Sequence, residues 1–195
     1  MLLDFQPESW HQSSNEVTTQ AEFSAVVDCF WDSNYDPYTS FMNILFPISE
    51  ATEESYAKAV AEPKVRLWFY HEQDPTSHWI YVSDDEDTKG VVYSGAHWNF
   101  HETSSPYKDE LDYMFTYTNQ RNKGYGSMLM QWGMKRAKRM GVEVVVESSE
   151  MGYSLYKKFG LRSIEKIAVD MRVDNPTNTW RRLESDFGQV LIWWM

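Results

Sequence analysis

The chain has 195 residues, 42% of them hydrophobic, which suits one globular domain over residues 1–195 able to bury about 70% of its unfolded surface. Its single cysteine, Cys29, allows neither an intrachain disulfide nor a zinc spacing, and points to a reducing, cytoplasmic setting. The net charge of −11 argues against broad nucleic-acid binding, which needs a basic surface; it either keeps the chain soluble or mildly favours a cationic or amine-bearing substrate by steering.

The opening "MLLDFQPESW" lacks a basic region followed by an apolar core, so no secretory signal is expected, and residues 1–20 carry weak structure signals. From Gln20 to Trp31, Phe23, Val26, Val27, Phe30 and Trp31 recur at helical spacing, with Glu22 near the positive helix end. Asp36-Pro37 breaks this pattern, and "SFMNILFP" reads as a helical turn ending before Pro47. "TEESYAKAV" predicts a helix starting near Ser49 or Thr52 and stopping before Pro63. The period then changes. "KVRLWFYHE", "HWIYVS" and "GVVYSGAHWNF" read as strands, the last two joined by the acidic turn "DDEDTKG", and together suggest an antiparallel meander. A further strand is expected over Leu111–Thr118, with Leu111, Tyr113, Phe115 and Tyr117 on one face and Asp112, Met114, Thr116 and Thr118 on the other.

A loop, "NQRNKGYG", follows at once. The helix after it, Ser127 to Met140, has Leu129, Trp132, Gly133, Ala137 and Met140 on one face, basic residues in its last turns and Gly141 as its cap. "VEVVVES" is a buried type of strand, and "SEMGYSLYKKFG" a short helix ended by Gly160. "SIEKIAVDM" and "GQVLIWWM" read as final strands around the polar connection "RVDNPTNTWRRLESDF". No run approaches the roughly 18 apolar residues of a membrane-spanning helix, so no membrane partner is expected. The succession predicts a mixed α/β domain around a central sheet.

The loop carries the chemistry. A strand, glycines and a helix start can hold a pyrophosphate, because the first amides of a helix are unpaired and lie at its positive end. Gly124 and Gly126 would open the backbone, and Arg121 and Lys123 would supply charge. G-x-x-x-x-G-K-[ST] is absent, and so is G-x-G-x-x-G, since Leu129 stands at the third glycine.

Arg121-Asn122-Lys123-Gly124-Tyr125-Gly126 does fit Q/R-x-x-G-x-G/A. It resembles the acyl-CoA pyrophosphate loop of the GNAT superfamily of N-acyltransferases. The later "SEMGYSLYKKFGL" resembles that family's N-x-x-A-x-x-x-Y-x-x-x-GF, with Ser149 at the asparagine, Gly152 at the alanine, Tyr156 at the tyrosine, Gly160 at the glycine and Leu161 at the phenylalanine. The segment from Arg121 to Leu161 looks like fungal members in particular. The likeness covers about residues 65–171.

The resemblance implies a mostly antiparallel sheet whose central strands, Leu111–Thr118 and Val142–Glu147, splay apart around acetyl-CoA. The backbone near Thr116 would meet the pantetheine arm, close to Ser149, and the amides of Asn122 to Ser127 the pyrophosphate, while the ring of Tyr125 packs. The implied reaction is attack by the amine of a small molecule on the thioester. Tyr156 takes the family's acid position; full ionisation of a free tyrosine, pKa about 10, toward a thiolate of about 8.5 is uphill by roughly 2 kcal/mol. Asp112 and Glu147 are the base candidates on the splayed strands, with Glu110 at the edge, and His97, His101 or a water relay as alternatives. A GNAT-fold protein serving another reaction, or binding a ligand without acyl transfer, is the second reading; Ser149, Leu161 and the short "ETSSPYKDE" depart from the family pattern. Aromatic residues Trp31, Tyr35, Tyr38, Phe41, Trp68, Phe69, Tyr70, Trp79 and Trp98 would line an acceptor cleft or simply pack. The apolar last strand, with Trp193 and Trp194, would pair across a homodimer.

Overall fold

The computed structural model describes residues 12–35, 42, 45–50, 52–84, 90–101, 109–170, 172–187 and 191–195. Asp36-Pro37, Tyr38, Phe41, turn residues 85–89 and most of "ETSSPYKDE" lie outside them. Among the described residues, seven strands form one open sheet in the order β1-β2-β3-β4-β5-β7-β6. They are β1 (Gln12–Glu16), β2 (Ser77–Asp84), β3 (Val92–Asn99), β4 (Asp109–Thr116), β5 (Val144–Ser148), β6 (Glu165–Ala168) and β7 (Leu191–Trp194). All neighbours are antiparallel except β4 and β5, which run parallel. Helices α1 (Gln20–Tyr35), α2 (Glu53–Gln73), α3 (Tyr125–Met140), α4 (Glu150–Lys158) and α5 (Asn178–Phe187) complete the mixed α/β fold.

The sheet separates two cores. On one face, Leu129, Met130 and Ala137 of α3 and Tyr156 of α4 pack on Ile80, Val82, Ala96, Trp98, Leu111 and Val146. Gly133 lets α3 lie close to the sheet, since a Cβ there would stand 2.2 Å from the Trp98 ring. On the other face, Phe23, Val26, Val27, Phe30 and Trp31 of α1 pack on Trp79, Val92 and Phe115.

The helix α2 corrects two expectations. It runs through Pro63, and residues 64–72 are helical instead of forming a strand. Tyr56, Ala59, Val60, Leu67 and Trp68 pack against the α1 core at helical spacing. An interior proline costs about 3 kcal/mol. Burying this face offsets that cost and overrides the strand-forming composition of "VRLWFY". Thr52 caps the helix, its side chain accepting the Ser55 N–H at 3.2 Å. The helical turn before Pro47 is present, with Phe46 N–H donating to Met42 O at 2.7 Å.

Two elements carry little sequence signal. β1, "QSSNE", is a polar edge strand held by its ladder to β2. α5 lies in the stretch read as a connection, where Thr177 Oγ1 accepts the Trp180 N–H at 3.1 Å. The last strand is internal, paired with β5 on one side and β6 on the other, so it is not the edge for pairing a second copy. Trp31, Trp79 and Trp98 are fully buried, with Trp98 on the opposite face from the other two, while Phe69 and Tyr70 are exposed. These aromatics pack or face solvent and do not line a common cleft.

Candidate active site

The parallel ladder between β4 and β5 is short. Asp109, Glu110 and Leu111 pair with Val144, Val145 and Val146, and there the pairing stops. β4 continues to Thr116 against β3, while β5 turns its other edge to the C-terminus through Val146–Met195, Glu147–Trp194 and Ser148–Trp193. The facing edges of 112–116 and 147–148 therefore diverge from an apex at Leu111 and Val146. The predicted strand Leu111–Thr118 is displaced by two residues, because Thr118–Gln120 forms a 3-10 turn.

A bulge sits at that apex. His97 pairs with Tyr113 and Trp98 with Leu111, leaving Asp112 without a cross-strand partner. Leu111 packs in the α3 core, Tyr113 and Phe115 in the α1 core, and Asp112 reaches His97 and Asn99 on the α1 side. The uniform alternation expected for this strand is thus broken, as a bulge requires, and Asp112 shares the side of Tyr113. Both contacts fall on Asp112 Oδ2: Asn99 Nδ2 donates at 2.8 Å, and His97 Nδ1 lies 2.9 Å away. Among the described residues nothing hydrogen-bonds Oδ1.

Glu147 is exposed on β5, one residue beyond the apex. Glu110 is half-buried on β4, and its carboxyl is held above its usual range by burial, then by Asp112 and Glu147. The structure thus gathers all three carboxyl candidates at one place. His101 lies beyond the end of β3.

The glycine loop follows from the far end of β4. Asn122 (φ 63°) and Gly124 (φ 89°) are left-handed, bending the chain into α3, with Gly124 as its cap. A Cβ on Gly126 would stand 3.0 Å from Leu155 Cδ2 and 3.6 Å from Met114 Sδ, so the helix start presses against α4 and β4. Tyr125 is buried, its ring stacked on Tyr93 at 5.8 Å. Among the described residues, no backbone acceptor pairs with the amides of Lys123, Gly124 or Gly126. The amide of Ser127 donates to Gly124 O at 2.9 Å and is not open. Lys123 is exposed, its Nζ 2.7 Å from Gln120 Oε1.

Arg121 does something sequence reasoning did not foresee. Its Nη2 donates to Ser33 O on α1 at 2.9 Å, and its Nε to Thr116 O at 3.3 Å. With Tyr117 Oη donating to Asp32 Oδ2 at 3.0 Å, it straps the loop to the end of α1. The carbonyl of Thr116 is therefore occupied, and its Oγ1 lies 2.7 Å from Ser94 Oγ.

Across the divergence, Ser149 caps α4 through its backbone, its side chain making no capping bond. Tyr156 is buried on α4, its ring in the space a side chain at Gly152 would fill, since a Cβ there would stand 2.6 Å from Tyr156 Cε2. Among the described residues nothing hydrogen-bonds its hydroxyl. Burial pushes the phenol up to about 12. Among the described residues, no cluster of His, Cys, Asp and Glu could hold a metal, and no helix is long and apolar enough to cross a membrane.

A diverging strand pair with a glycine turn and helix start at its open end is what the resemblance to the GNAT superfamily implies. The chain belongs to the acetyltransferase (GNAT) family, whose model matches residues 38–161. Its fold is similar to a histone acetyltransferase HPA2 and related acetyltransferase from Corynebacterium glutamicum (TM-score 0.59, 15% identity, covering 94% of each chain). It is similar also to a ribosomal-protein-S5-alanine acetyltransferase from Vibrio fischeri (TM-score 0.59, 8% identity, 98% of this chain and 96% of that one). A third likeness is to the PaiA N-acetyltransferase from Thermoplasma acidophilum, solved in complex with coenzyme A (TM-score 0.54, 11% identity, 93% and 96%). No curated protein sequence matches the chain.

Proposed function

We infer that residues 1–195 form one acetyl-CoA-dependent N-acetyltransferase domain that acts on the amine of a small molecule in the cytoplasm. The observation that carries this reading is the divergence of β4 and β5 at Leu111 and Val146, with Gly124–Gly126 at its open end and Asp112 at its apex. The likeness of Arg121–Leu161 to fungal members belongs to the same reading, and a homodimer would use the exposed edge strand β6.

The residues fit the cofactor. The turned amides at Lys123, Gly124 and Gly126 would hold its pyrophosphate, with Lys123 adding charge. The facing edges of β4 and β5, with Ser149 beside them, would take the pantetheine arm. When bound, acetyl-CoA supplies the acetyl group as a thioester. Glu110, Asp112 and Glu147 give the apex a negative field that attracts an ammonium-bearing acceptor. Asp112, through Oδ1, takes the amine proton. Tyr156 keeps its proton, because full ionisation toward a thiolate of about 8.5 from about 12 is uphill by about 5 kcal/mol. It would therefore serve a thiolate leaving group as a hydrogen-bond donor and not as a proton source.

Calorimetric titration with acetyl-CoA tests the reading, using Gly124→Asp as control. Micromolar binding by the wild type is expected, weakened about a hundredfold in the variant, which adds a charge and a Cβ at positive φ. Absence of binding by the wild type would sink the acyltransferase reading in favour of a GNAT-fold protein with another task.

A further inference from the structure

Behind Asp112 runs a polar array that the mechanism above does not use. His97 Nε2 lies 2.8 Å from Ser77 Oγ, and Ser77 Oγ lies 2.9 Å from His71 Nδ1. The array thus spans β4, β3, β2 and α2. Aromatic rings wall it: Trp79 stacks on His97 at 4.5 Å, Tyr113 lies beyond at 6.1 Å, and Phe23 and Trp68 flank His71 at 6.2 and 5.5 Å. Ser77 is buried, and His71 at the far end is partly exposed.

One hydroxyl between two imidazoles has a single proton to give, so one ring donates to Ser77 and the other accepts from it. Asp112 breaks the tie. A carboxylate only accepts, so the His97 nitrogen facing it is the protonated one, and Nε2 accepts from Ser77. Ser77 Oγ then accepts from His71 Nδ1–H. Burial, together with His97 and His78, lowers the proton affinity of His71, which suits a neutral ring carrying one proton.

The His97–Asp112 contact needs an explanation. His97 Nδ1 is buried, 2.9 Å from Asp112 Oδ2, yet outside hydrogen-bonding alignment with it. A buried ring N–H left without an aligned acceptor is destabilising. Catalytic hydrogen bonds are often misaligned in the free enzyme and straighten in the loaded site. We propose that Ser77 and His71 are positioning residues that hold the His97 ring in place and, together with Asp112 facing Nδ1, keep it as its Nδ1–H tautomer, so that His97 and Asn99 hold Asp112 Oδ2 and aim Oδ1 at the acceptor amine. In the step they serve, the amine N–H bond breaks and an Asp112 Oδ1–H bond forms. This rests on the acetyltransferase reading.

The test combines spectroscopy with kinetics. In nitrogen-15 imidazole spectra of the free protein, His97 is expected as the neutral Nδ1–H tautomer, and Ser77→Ala, which removes the donor to Nε2 but leaves Asp112, should weaken that preference. With an amine that the wild type acetylates, Ser77→Ala should lower kcat about tenfold with KM for acetyl-CoA within about twofold, and Ser77→Thr should restore kcat. His71→Leu serves as a second variant, with the same expected effects, should Ser77→Ala fail to fold. A wild-type His97 protonated on Nε2, a folded Ser77→Ala whose tautomer preference is unchanged, or a folded variant that weakens the preference and keeps kcat, overturns the proposal. A wild type that binds no acetyl-CoA sinks the acetyltransferase reading instead, while the spectra still decide the tautomer.

Discussion

The two faces of β4 are built differently. On the α3 face the working parts lie close together in the chain: the turn at Asn122–Gly126, the helix that follows it, and Tyr156 one strand and half a helix later. Gly124 sits at a positive φ that favours glycine and Gly126 where a Cβ would crowd Leu155, so the residue type itself announces the structure. On the α1 face Asp112, His97, Ser77 and His71 come from four elements, and each residue type is ordinary where it stands. A binding site for a common ligand can be written in one local motif. The groups that handle the proton of a particular acceptor are assembled by tertiary contacts.

Substitutions can break or sharpen this contrast. The largest effect should come from Asp112→Asn, which keeps the Asn99 and His97 neighbours but removes the proton acceptor. kcat should fall about a hundredfold while acetyl-CoA affinity stays put. A parallel loss of affinity, seen by calorimetry, would show that the two faces are not separable. Gly133→Val should cost about 2 kcal/mol in thermal or urea unfolding, because the new side chain meets the Trp98 ring. Unchanged stability would mean that α3 can lift from the sheet.

Arg121 bridges the two faces. If its charge served the pyrophosphate, Arg121→Lys would behave as wild type. Its bonds to Ser33 O and Thr116 O need the guanidinium fork, so Arg121→Lys is expected to weaken acetyl-CoA binding about tenfold, as much as Arg121→Met. The smallest effect concerns Tyr156. Its phenol holds its proton to about 12 when folded and to about 10 when unfolded. The stability this gives is complete below pH 10 and is lost as pH rises, because the unfolded chain ionises first. Between pH 9 and 11 the wild type should lose about 1 kcal/mol more than Tyr156→Phe, read from urea midpoints. Equal losses would mean that the phenol is solvated in the fold.

Much of the fold was legible wherever a periodic apolar pattern met a stop signal. α1, α3 with its Gly141 cap, α4 ended at Gly160, and the β2–β3 meander all follow that rule. β1 and α5 were not legible, since a polar edge strand and a polar helix carry no such pattern. α2 was misread past Pro63 because strand formers and a proline are both local signals, whereas the α1 core that overrides them is not local. In the candidate site, the loop, Tyr156 and the carboxylates were named in advance. The strap made by Arg121 and the array through Ser77 and His71 were not.

By itself the sequence determined the positive-φ turn, the helix start behind it and the tyrosine one helix on, because glycine freedom and helix ends are properties of a few adjacent residues. Only the tertiary structure decided where β4 leaves β5, which way the bulge turns Asp112, and which histidine stands behind it. Register, bulge and ring stacking depend on which strands and helices pack together, and no short stretch of chain encodes that.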